Sequence, residues 1–343
     1  MTTTWGILAT GRIAHSFAAD LRQVPGARLG AVGSRTHGSA EAFAREHGDG
    51  STRAHPSYDA LVADPDVDVV YVASPHALHL DHARLAFAAG KPVLCEKPLA
   101  LNRADGEALF DSAGDLFCME AMWMACHPLV REVQRRLLAG DFGTPRQVHA
   151  DLGFVVPETA SARMVERDLG AGALLDMGIY PLTFARMMLG PFAQVSAAGD
   201  LAASGIDLDV AIAARHEGGA VSALTTSMTS ASPRTASVAT DLGRLDLPSP
   251  FHHPPYVGWT PAGGEPQRIE TPAPVLGTGL GNEAAHVQDC LRDGLSESPV
   301  IPRAQTLELL GVMDDVRRSL GVRYAADDAQ TAPRDEAAPP RPR

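Results

Sequence analysis

Three polar side chains in this sequence have the types needed to move a hydride and a proton. Lys97 lies in the segment Cys95-Glu96-Lys97-Pro98 and is one of only two lysines in the chain. Asp176 and Tyr180 are four residues apart, a spacing that puts two side chains on one face of a helix. A lysine, a carboxylate and a phenol brought together would suit the oxidation of a secondary alcohol. The alternatives are a surface lysine beside a proline and an Asp/Tyr pair that only packs a helix.

The chemistry explains why these residue types would be needed. When a hydride leaves the alcohol carbon, the hydroxyl proton must pass to a base. Tyrosine has an ordinary pKa of about 10 and is a poor base, but a neighbouring ammonium stabilises its phenolate. Lysine can also exchange protons, because its pKa shifts readily when it is buried. We predict that Lys97, Tyr180 and Asp176 are catalytic, with Asp176 orienting the other two.

The elements that must position Lys97 are visible in the first 122 residues. Apolar runs typical of strands alternate with helical patterns, and residues 68–73 are almost continuously apolar, as in a strand inside a parallel sheet. Strands and helices that alternate in this way predict a doubly wound α/β sheet. Lys97 follows the strand-like run at residues 91–95, and the carboxyl ends of such strands line a ligand crevice.

A dinucleotide-binding turn is predicted directly after the first strand. Residues 9–14 read Ala-Thr-Gly-Arg-Ile-Ala, which fits the G-x-G-x-x-G/A pattern with alanine in place of the first glycine. Gly11 would let the backbone approach a pyrophosphate, whose charge the helix N-terminus would bind. We predict cofactor contacts from Ala9, Thr10, Gly11, Arg12 and Ile13. The alternative is an ordinary strand–turn–helix connection.

The residues after the second strand predict which dinucleotide binds. An enzyme that uses NAD usually has Asp or Glu here to hold the ribose hydroxyls, whereas this chain has Gly33-Ser34-Arg35-Thr36. Arg35 can pair with a 2′-phosphate and stack on the adenine, and Ser34 can donate a hydrogen bond. The segment favours NADP over NAD. The alternative is a solvated arginine at the start of a helix.

Three histidines at three-residue intervals, His76, His79 and His82, follow the apolar run at residues 68–73. The spacing invites a metal interpretation, but no fourth ligand accompanies them, and a zinc site needs ligands that converge. We therefore predict no metal site. The residues expected to contact cofactor or substrate are Ser74, Pro75, His76 and His79. His82 is expected to be solvated.

The second half of the chain has a different pattern. Long runs alternate between apolar and polar residues, and Glu217-Gly218-Gly219 predicts a hairpin turn between two of them. This indicates a mostly antiparallel sheet in an α+β domain, with late helices packed back on the first domain. The Pro- and Gly-rich residues 248–264 are predicted to be a loop. The predicted domains are a dinucleotide domain at residues 1–122, a substrate domain at residues 123–324 and a disordered tail at residues 325–343.

Composition excludes some function classes. A net charge of −12, with no cluster of basic residues, argues against a nucleic-acid or anionic-membrane partner. The chain has no apolar run long enough to span a membrane, and its first residues lack the basic segment that begins a signal peptide. The four cysteines have neither CxxC nor zinc-type spacing. We expect reduced thiols in a cytoplasmic protein.

Together, these segments resemble the Gfo/Idh/MocA oxidoreductases from residue 5 to residue 324. The most specific motif is Glu96-Lys97-Pro98, supported by residues 73–79 and 170–180. Within the family, the chain is most similar to the branch of dimeric dihydrodiol dehydrogenase and NADP-dependent D-xylose dehydrogenase. That finer likeness is carried by residues 5–11, 95–99, 120–123 and 250–251.

The resemblance implies a Rossmann domain followed by an open-faced sheet domain that commonly forms a homodimer. It implies that Lys97 is the catalytic lysine with Asp176 and Tyr180 beside it. Glu96, Lys97 and Trp123 are also predicted to contact the cofactor. Many members have His at the position of Tyr180, whereas the dihydrodiol branch has Tyr.

The chain departs from that branch at Ala125 and Cys126, where larger groups commonly stand. The loop at residues 157–168, which contains Arg163, is a candidate wall of the same pocket. The predicted function is NADP-dependent hydride transfer between the nicotinamide and a secondary alcohol of an aldose, a cyclic polyol or a trans-dihydrodiol. The alternative is a non-catalytic NADP-binding sugar sensor, but a sensor need not retain Lys97, Asp176 and Tyr180 together.

Overall fold

A computed structural model describes residues 2–157 and 162–328, which form two sheets flanked by helices. The first sheet is parallel, with strands β1 (Thr3–Leu8), β2 (Ala27–Gly33), β3 (Arg53–His55), β4 (Val69–Val72), β5 (Val93–Glu96) and β6 (Cys118–Ala121). Their order across the sheet is β3-β2-β1-β4-β5-β6, the order of a Rossmann fold. The order reverses between β1 and β4, and ligands bind at the carboxyl ends of strands beside such a switch point. The predicted doubly wound sheet is confirmed.

The helices fall into an early and a late group. The early helices are α1 (Arg12–Leu21), α2 (His37–His47), α3 (Tyr58–Val62), α4 (His79–Ala88), α5 (Arg103–Ala113), α6 (Trp123–Cys126) and α7 (Pro128–Leu138). The late helices are α8 (Ala162–Val165), α9 (Ile179–Leu189), α10 (Leu280–Arg292), α11 (Arg303–Leu320) and α12 (Ala325–Asp328). Helices α1 to α5 connect consecutive strands of the first sheet. Every residue of β4 and β5 is buried, as expected for a parallel sheet covered on both faces.

The second sheet is mostly antiparallel, as predicted. Its strands are β7 (Pro145–Gly153), β8 (Phe192–Leu201), β9 (Asp207–His216), β10 (Val221–Ser227), β11 (Ala236–Thr240), β12 (Gly243–Leu247), β13 (Val257–Pro261) and β14 (Gln267–Ile269). They lie in the order β14-β13-β12-β11-β7-β10-β9-β8, and only β7 and β10 pair in parallel. One face packs on α9. The opposite face is open, and small side chains such as Ala211, Ala213 and Ala223 line a broad groove there.

The late helices join the two sheets. α10 packs against α1 and α6, while α11 packs against α5 of the first layer and β8 of the second. The two sheets are therefore connected through packed helices. Within the described ranges, no helix combines the length and hydropathy needed to cross a bilayer.

Three details differ from the sequence-based expectations. The short edge strand β3 was not predicted, because three residues carry too little pattern. Residues 248–264 were predicted to be a loop, but they include β13, in which Val257 and Trp259 alternate inward. The tail was predicted to be disordered from residue 325. Instead, α12 forms there because Asp327 accepts hydrogen bonds from Tyr324 N and from the Arg317 guanidinium; residues 329–343 lie outside the described ranges.

Candidate active site

The three residues predicted to be catalytic lie together at the carboxyl end of β5. Lys97 immediately follows this strand, and its Nζ lies 2.6 Å from the backbone oxygen of Asp176 and 3.3 Å from Asp176 Oδ1. The same Nζ lies 4.8 Å from the centroid of the Tyr180 ring. The side chains of Lys97 and Asp176 are only 13% and 11% exposed, so water screens their attraction weakly.

The segment that carries Asp176 and Tyr180 begins with a π-helical turn. The sequence predicts a regular helix from Leu174, whereas Leu174–Gly178 form a π-helix that continues into α9. The buried carboxylate of Asp207 accepts a hydrogen bond of 2.6 Å from Leu174 N and thereby holds the start of the turn. Turns of this kind occur often at functional sites. Here the turn directs the Asp176 carboxylate to Lys97.

Two cations fix the charge of Asp176. Arg163 Nη1 donates to Asp176 Oδ1 over 2.9 Å, beside the Lys97 ammonium. Burial would raise the pKa of this carboxyl, but the charges of Lys97 and Arg163 outweigh burial and lower the pKa. Burial likewise lowers the pKa of Lys97, but the charges of Tyr180, Asp176 and Glu96 outweigh it, and the net pKa is raised. Lys97 therefore carries its positive charge at neutral pH, and proton exchange at its Nζ stays a prediction.

Tyr180 is a neutral phenol at neutral pH. Burial raises its pKa, and the ammonium of Lys97 lowers it by a smaller amount, so the net shift of the pKa is upward. The ammonium stabilises the phenolate, as expected from the sequence, but burial has the larger effect on this pKa. Trp123 Nε1 donates a hydrogen bond of 2.8 Å to the Tyr180 hydroxyl oxygen. Among the residues that the structure describes, none accepts a hydrogen bond from the phenolic O–H, which can thus face a substrate.

Arg163 enters the site from the short helix α8, which lies in the segment predicted to be a loop and precedes the π-helical turn. Besides contacting Asp176, its Nη1 lies 3.3 Å from Nε2 of His76. His76 is buried, which lowers its pKa well below the usual value, and its Nδ1 lies 3.2 Å from the Gly170 backbone oxygen. A neutral ring can accept from Arg163 at Nε2 and donate to Gly170 at Nδ1. The proposed pocket loop thus reaches the catalytic residues through Arg163, although residues 158–161 lie outside the described ranges.

The predicted dinucleotide turn lies at the carboxyl end of β1. Ala9 has a left-handed backbone with φ of 80°, and Gly11 caps α1 without any side chain bonded to the first-turn N–H groups. Arg12 and Ile13 form that first turn. The uncapped N–H groups and the positive end of the helix dipole would bind a pyrophosphate.

The neighbouring strand ends complete the predicted dinucleotide region. Thr10 Oγ1 lies 3.3 Å from Ser34 Oγ, so the turn contacts the end of β2. Arg35 follows and is exposed. At the end of β4, Ser74 Oγ is buried and has no partner in the described part of the chain, and Pro75 begins a short 3-10 turn. A buried hydroxyl without a partner and an uncapped helix N-terminus are groups that a dinucleotide can satisfy, so these residues fit NAD(P).

His79 and Glu96 point into the protein interior. His79 is completely buried, and its two ring nitrogens each lie 2.9 Å from a backbone oxygen, one of Ser74 and one of Pro98. The predicted ligand contact of His79 is therefore wrong, because the ring instead joins two loops of the site. Glu96 is held similarly, since its carboxylate accepts from the Tyr71 hydroxyl and from the next backbone N–H.

Three other residues singled out in the sequence lie away from the site. His82 is partly buried and packs on Tyr58 with ring centroids 4.7 Å apart, rather than being solvated. Ala125 and Cys126 are buried within α6. The departure from the dihydrodiol branch therefore changes the core behind Trp123, and the bulk of these two side chains does not shape the pocket wall.

One wall of the site comes from a segment to which the sequence gave no role. The His252 ring lies 4.9 Å from the Tyr180 ring and 5.3 Å from the Trp123 ring, and the His253 ring lies 5.2 Å from Trp123. Burial lowers the pKa of His252 to about 3, so its imidazole is neutral. The available signal was the His pair directly after Pro250-Phe251.

Comparison with known proteins assigns a family to this arrangement. Residues 3–119 match the model described as oxidoreductase family, NAD-binding Rossmann fold, and residues 130–246 match the GFO/IDH/MocA C-terminal domain. A trans-1,2-dihydrobenzene-1,2-diol dehydrogenase from Oryctolagus cuniculus is 36% identical, with 94% of this chain and 99% of that protein covered. The chain belongs to the Gfo/Idh/MocA oxidoreductase family.

Solved structures show the same architecture. An aldose–aldose oxidoreductase from Caulobacter crescentus superposes with a TM-score of 0.84 at 23% identity, over 94% of this chain and 98% of that one. A 3-ketoreductase from Actinomadura kijaniata, solved with NADP, gives a TM-score of 0.76 at 26% identity, over 93% and 98% of the two chains. As a Gfo/Idh/MocA member, the chain is an oxidoreductase with an NAD-binding type of Rossmann domain. The predicted family, fold class and enzyme class are confirmed.

Proposed function

We propose that this Gfo/Idh/MocA protein is an NADP-dependent dehydrogenase that interconverts a secondary alcohol and its carbonyl. The substrate classes are an aldose, a cyclic polyol and a trans-dihydrodiol. The observation that carries the proposal is that Lys97, Asp176 and Tyr180 converge at the carboxyl end of β5. The predicted dinucleotide turn follows the carboxyl end of β1 in the same parallel sheet.

The preference for NADP rests on the end of β2. Ser34 and Arg35 stand where an NAD enzyme usually has a carboxylate, and a 2′-phosphate would be attracted by the guanidinium. The related 3-ketoreductase of Actinomadura kijaniata was solved with NADP. NAD remains the alternative cofactor.

The residues of this chain would manage the proton while a bound nicotinamide exchanges the hydride. Tyr180 Oη holds a proton at neutral pH and would donate it to a carbonyl oxygen during reduction, which leaves a phenolate. During oxidation the phenol would first lose its proton to solvent, and the phenolate, whose charge the Lys97 ammonium stabilises, would then accept the proton of the alcohol. The Lys97 ammonium, 4.8 Å from the ring centroid, stabilises the negative charge that develops on the oxygens. Asp176 keeps this ammonium in place through its backbone oxygen and its carboxylate.

The walls of the site favour a substrate with several hydroxyl groups. Arg163 offers guanidinium donors beside Asp176, and the neutral His252 ring lies next to Tyr180. Trp123 provides a flat apolar face, against which the C–H side of a sugar or polyol ring can pack. A purely hydrocarbon pocket would not contain these donors.

The test is to replace the two lysines in turn. Lys97→Met should lower kcat by about 10²–10³-fold, the usual cost of removing one group that stabilises a developing oxyanion, while NADP still binds. Lys91→Met is the matched control. Lys91 precedes β5, and its Nζ donates a hydrogen bond of 2.7 Å to the backbone oxygen of Val67, away from the proposed catalytic residues. Wild-type turnover by Lys97→Met would refute the assignment.

A substrate panel separates the dehydrogenase from a sensor. NADP with D-xylose, D-glucose, myo-inositol and a trans-dihydrodiol should give reduction of the nucleotide with at least one compound. NADP binding by fluorescence without turnover on this panel, in either direction with the corresponding carbonyl compounds, would instead identify a non-catalytic nucleotide-bound protein.

We also propose that the protein is a homodimer and works in the cytoplasm. The exposed small side chains on the open face of the second sheet would allow two such sheets to approach closely. Replacing Ala213, which is exposed on that face in β9, by Arg should give a monomer by light scattering if the sheets form the interface. All four cysteines are buried and unpaired, which suits a reducing compartment.

A further inference from the structure

We propose that His15, Glu46 and His47 form a binding site for a divalent cation of the zinc type, on the Rossmann domain. His15 lies in the first half of α1, and the other two residues end α2. His15 Nδ1 lies 2.7 Å from His47 Nε2 and 3.5 Å from Glu46 Oε2, while His47 Nε2 lies 3.4 Å from Glu46 Oε1. It is the one cluster of three such donors found within residues 2–157 and 162–328.

The distances fit a tetrahedral ion. Zinc binds imidazole nitrogen and carboxylate oxygen at roughly 2.0–2.2 Å, so neighbouring donors of a tetrahedral site are about 3.3 Å apart. The two distances to Glu46 are within a few tenths of an ångström of this value, one measured to Oε2 and the other to Oε1, so the exposed carboxylate must turn to offer a single oxygen or bind through both. The third, between the two imidazoles, must open by about 0.6 Å to reach it. His15 can make this adjustment because it lies at the protein surface, with 40% of its side chain exposed.

The contact between the two imidazoles can hold either a proton or a metal ion. At 2.7 Å one ring donates an N–H···N hydrogen bond to the other, and a metal ion bound there would replace that proton. The ring of His15 packs on Phe43 at 4.6 Å, which limits its rotation and keeps Nδ1 directed at His47.

The donor set predicts the type and strength of the site. Two imidazoles and one carboxylate leave a fourth position for water, as in sites with three protein ligands. Two features weaken it: Arg22 places a positive charge near His47, and the buried Nδ1 of His47 has no acceptor in the described part of the chain. We therefore expect a micromolar Kd, weaker than that of a closed structural zinc site.

The site would link the two helices that frame the adenosine side of the nucleotide region. α1 begins at the pyrophosphate turn, and α2 begins directly after Ser34-Arg35-Thr36. An ion held between α1 and α2 would therefore stabilise this half of the Rossmann domain. The inference does not depend on the proposed substrate, because none of the three ligands belongs to the catalytic cluster.

Titration of the full chain, expressed without a histidine tag, tests the proposal. Isothermal titration with ZnCl₂ should show one ion per chain, and at a hundredfold excess of zinc over Kd the thermal midpoint should rise by several degrees. Co²⁺ at the same site should give the visible absorption of tetrahedral coordination. His15→Gln and the exposed Glu46→Gln should each weaken binding by at least tenfold.

A second His–Glu pair on α2 supplies the matched control. His37 Nε2 lies 3.2 Å from Glu41 Oε1, but this exposed pair has no third ligand. His37→Gln should therefore leave zinc binding unchanged. Equal binding by wild type, His15→Gln and Glu46→Gln, or no saturable binding up to millimolar zinc, would overturn the proposal and leave a shared proton as the occupant.

Discussion

The proposed nucleotide side and the proposed substrate side of this site are built in different ways. The nucleotide side consists of short runs that each follow one strand, at residues 9–13, 34–35 and 74–76. The substrate side is formed by Lys97, Tyr180, Arg163 and His252. These residues lie in segments that connect strands of the first sheet and strands of the second sheet. The first kind of site is encoded locally and depends on backbone geometry. The second exists only when the second sheet packs above the first.

The largest effect should come from removing the phenol on the substrate side. Tyr180→Phe keeps the aromatic ring beside Trp123 but removes the hydroxyl group that would transfer the proton. The value of kcat should therefore fall by about 10²–10⁴-fold, the usual contribution of a general acid or base. NADP affinity should stay the same, because the nucleotide residues are untouched. Steady-state kinetics and nucleotide fluorescence measure the two quantities. Tyr256→Phe, directly before β13, is the control.

This prediction also tests whether the two sides are separate. A large loss of NADP affinity in Tyr180→Phe would show that the phenol supports the nucleotide side, and the comparison would break down. A kcat within threefold of wild type would remove Tyr180 from the proposed proton transfer.

The next effect concerns His79, which joins the two sides by contacting Ser74 and Pro98. Burial lowers its pKa from 6.5 to about 4. Between these pH values the unfolded chain takes up a proton that the folded protein does not, so stability falls as pH falls through this window. The loss approaches about 3 kcal/mol for this one residue below pH 4.

Urea unfolding at pH 7 and pH 4.5 measures this loss. His79→Gln should be less stable at pH 7, because it loses at least one of the two hydrogen bonds to the backbone oxygens of Ser74 and Pro98. Its stability should, however, fall less between the two pH values. Some pH dependence should remain, because burial also lowers the pKa of His127 and His286 to about 4. Parallel losses in wild type and His79→Gln would show that His79 titrates normally.

A smaller effect is expected on the nucleotide side. Arg35→Ala should weaken NADP binding by about 10–100-fold, the equivalent of one hydrogen-bonded charge pair, and leave NAD binding unchanged. Arg45→Ala is the matched control, because Arg45 is exposed on α2, the helix that follows Arg35. Equal losses for NADP and NAD would mean that Arg35 does not read the 2′-phosphate.

The two sides also differ in how much the sequence could predict. The alternation of strands and helices predicted the first sheet, and the turn at Gly11 was located from contiguous residues. The pKa directions were not predictable, since the burial of Tyr180 and the approach of Arg163 to Asp176 depend on packing between segments. The orientation of His79 into the interior follows from the positions of Ser74 and Pro98, which the chain alone does not give. The pairing of His15 with His47 joins two helices and has no local signal.

The smallest effect should be a change of substrate preference at His252. The neutral imidazole lies 4.9 Å from the Tyr180 ring, so His252→Phe keeps an aromatic wall but removes its hydrogen-bonding nitrogens. The ratio of kcat/KM for a polyhydroxylated sugar to that for a trans-dihydrodiol should fall about three- to tenfold, as expected for one hydrogen bond of about 1 kcal/mol. His253→Phe is the matched control, because its ring lies beside Trp123 rather than Tyr180. An unchanged ratio in His252→Phe, or an equal change in both variants, would place substrate selection elsewhere, with Arg163 the next residue to vary. A change in NADP affinity would instead show that this wall also serves the nucleotide side.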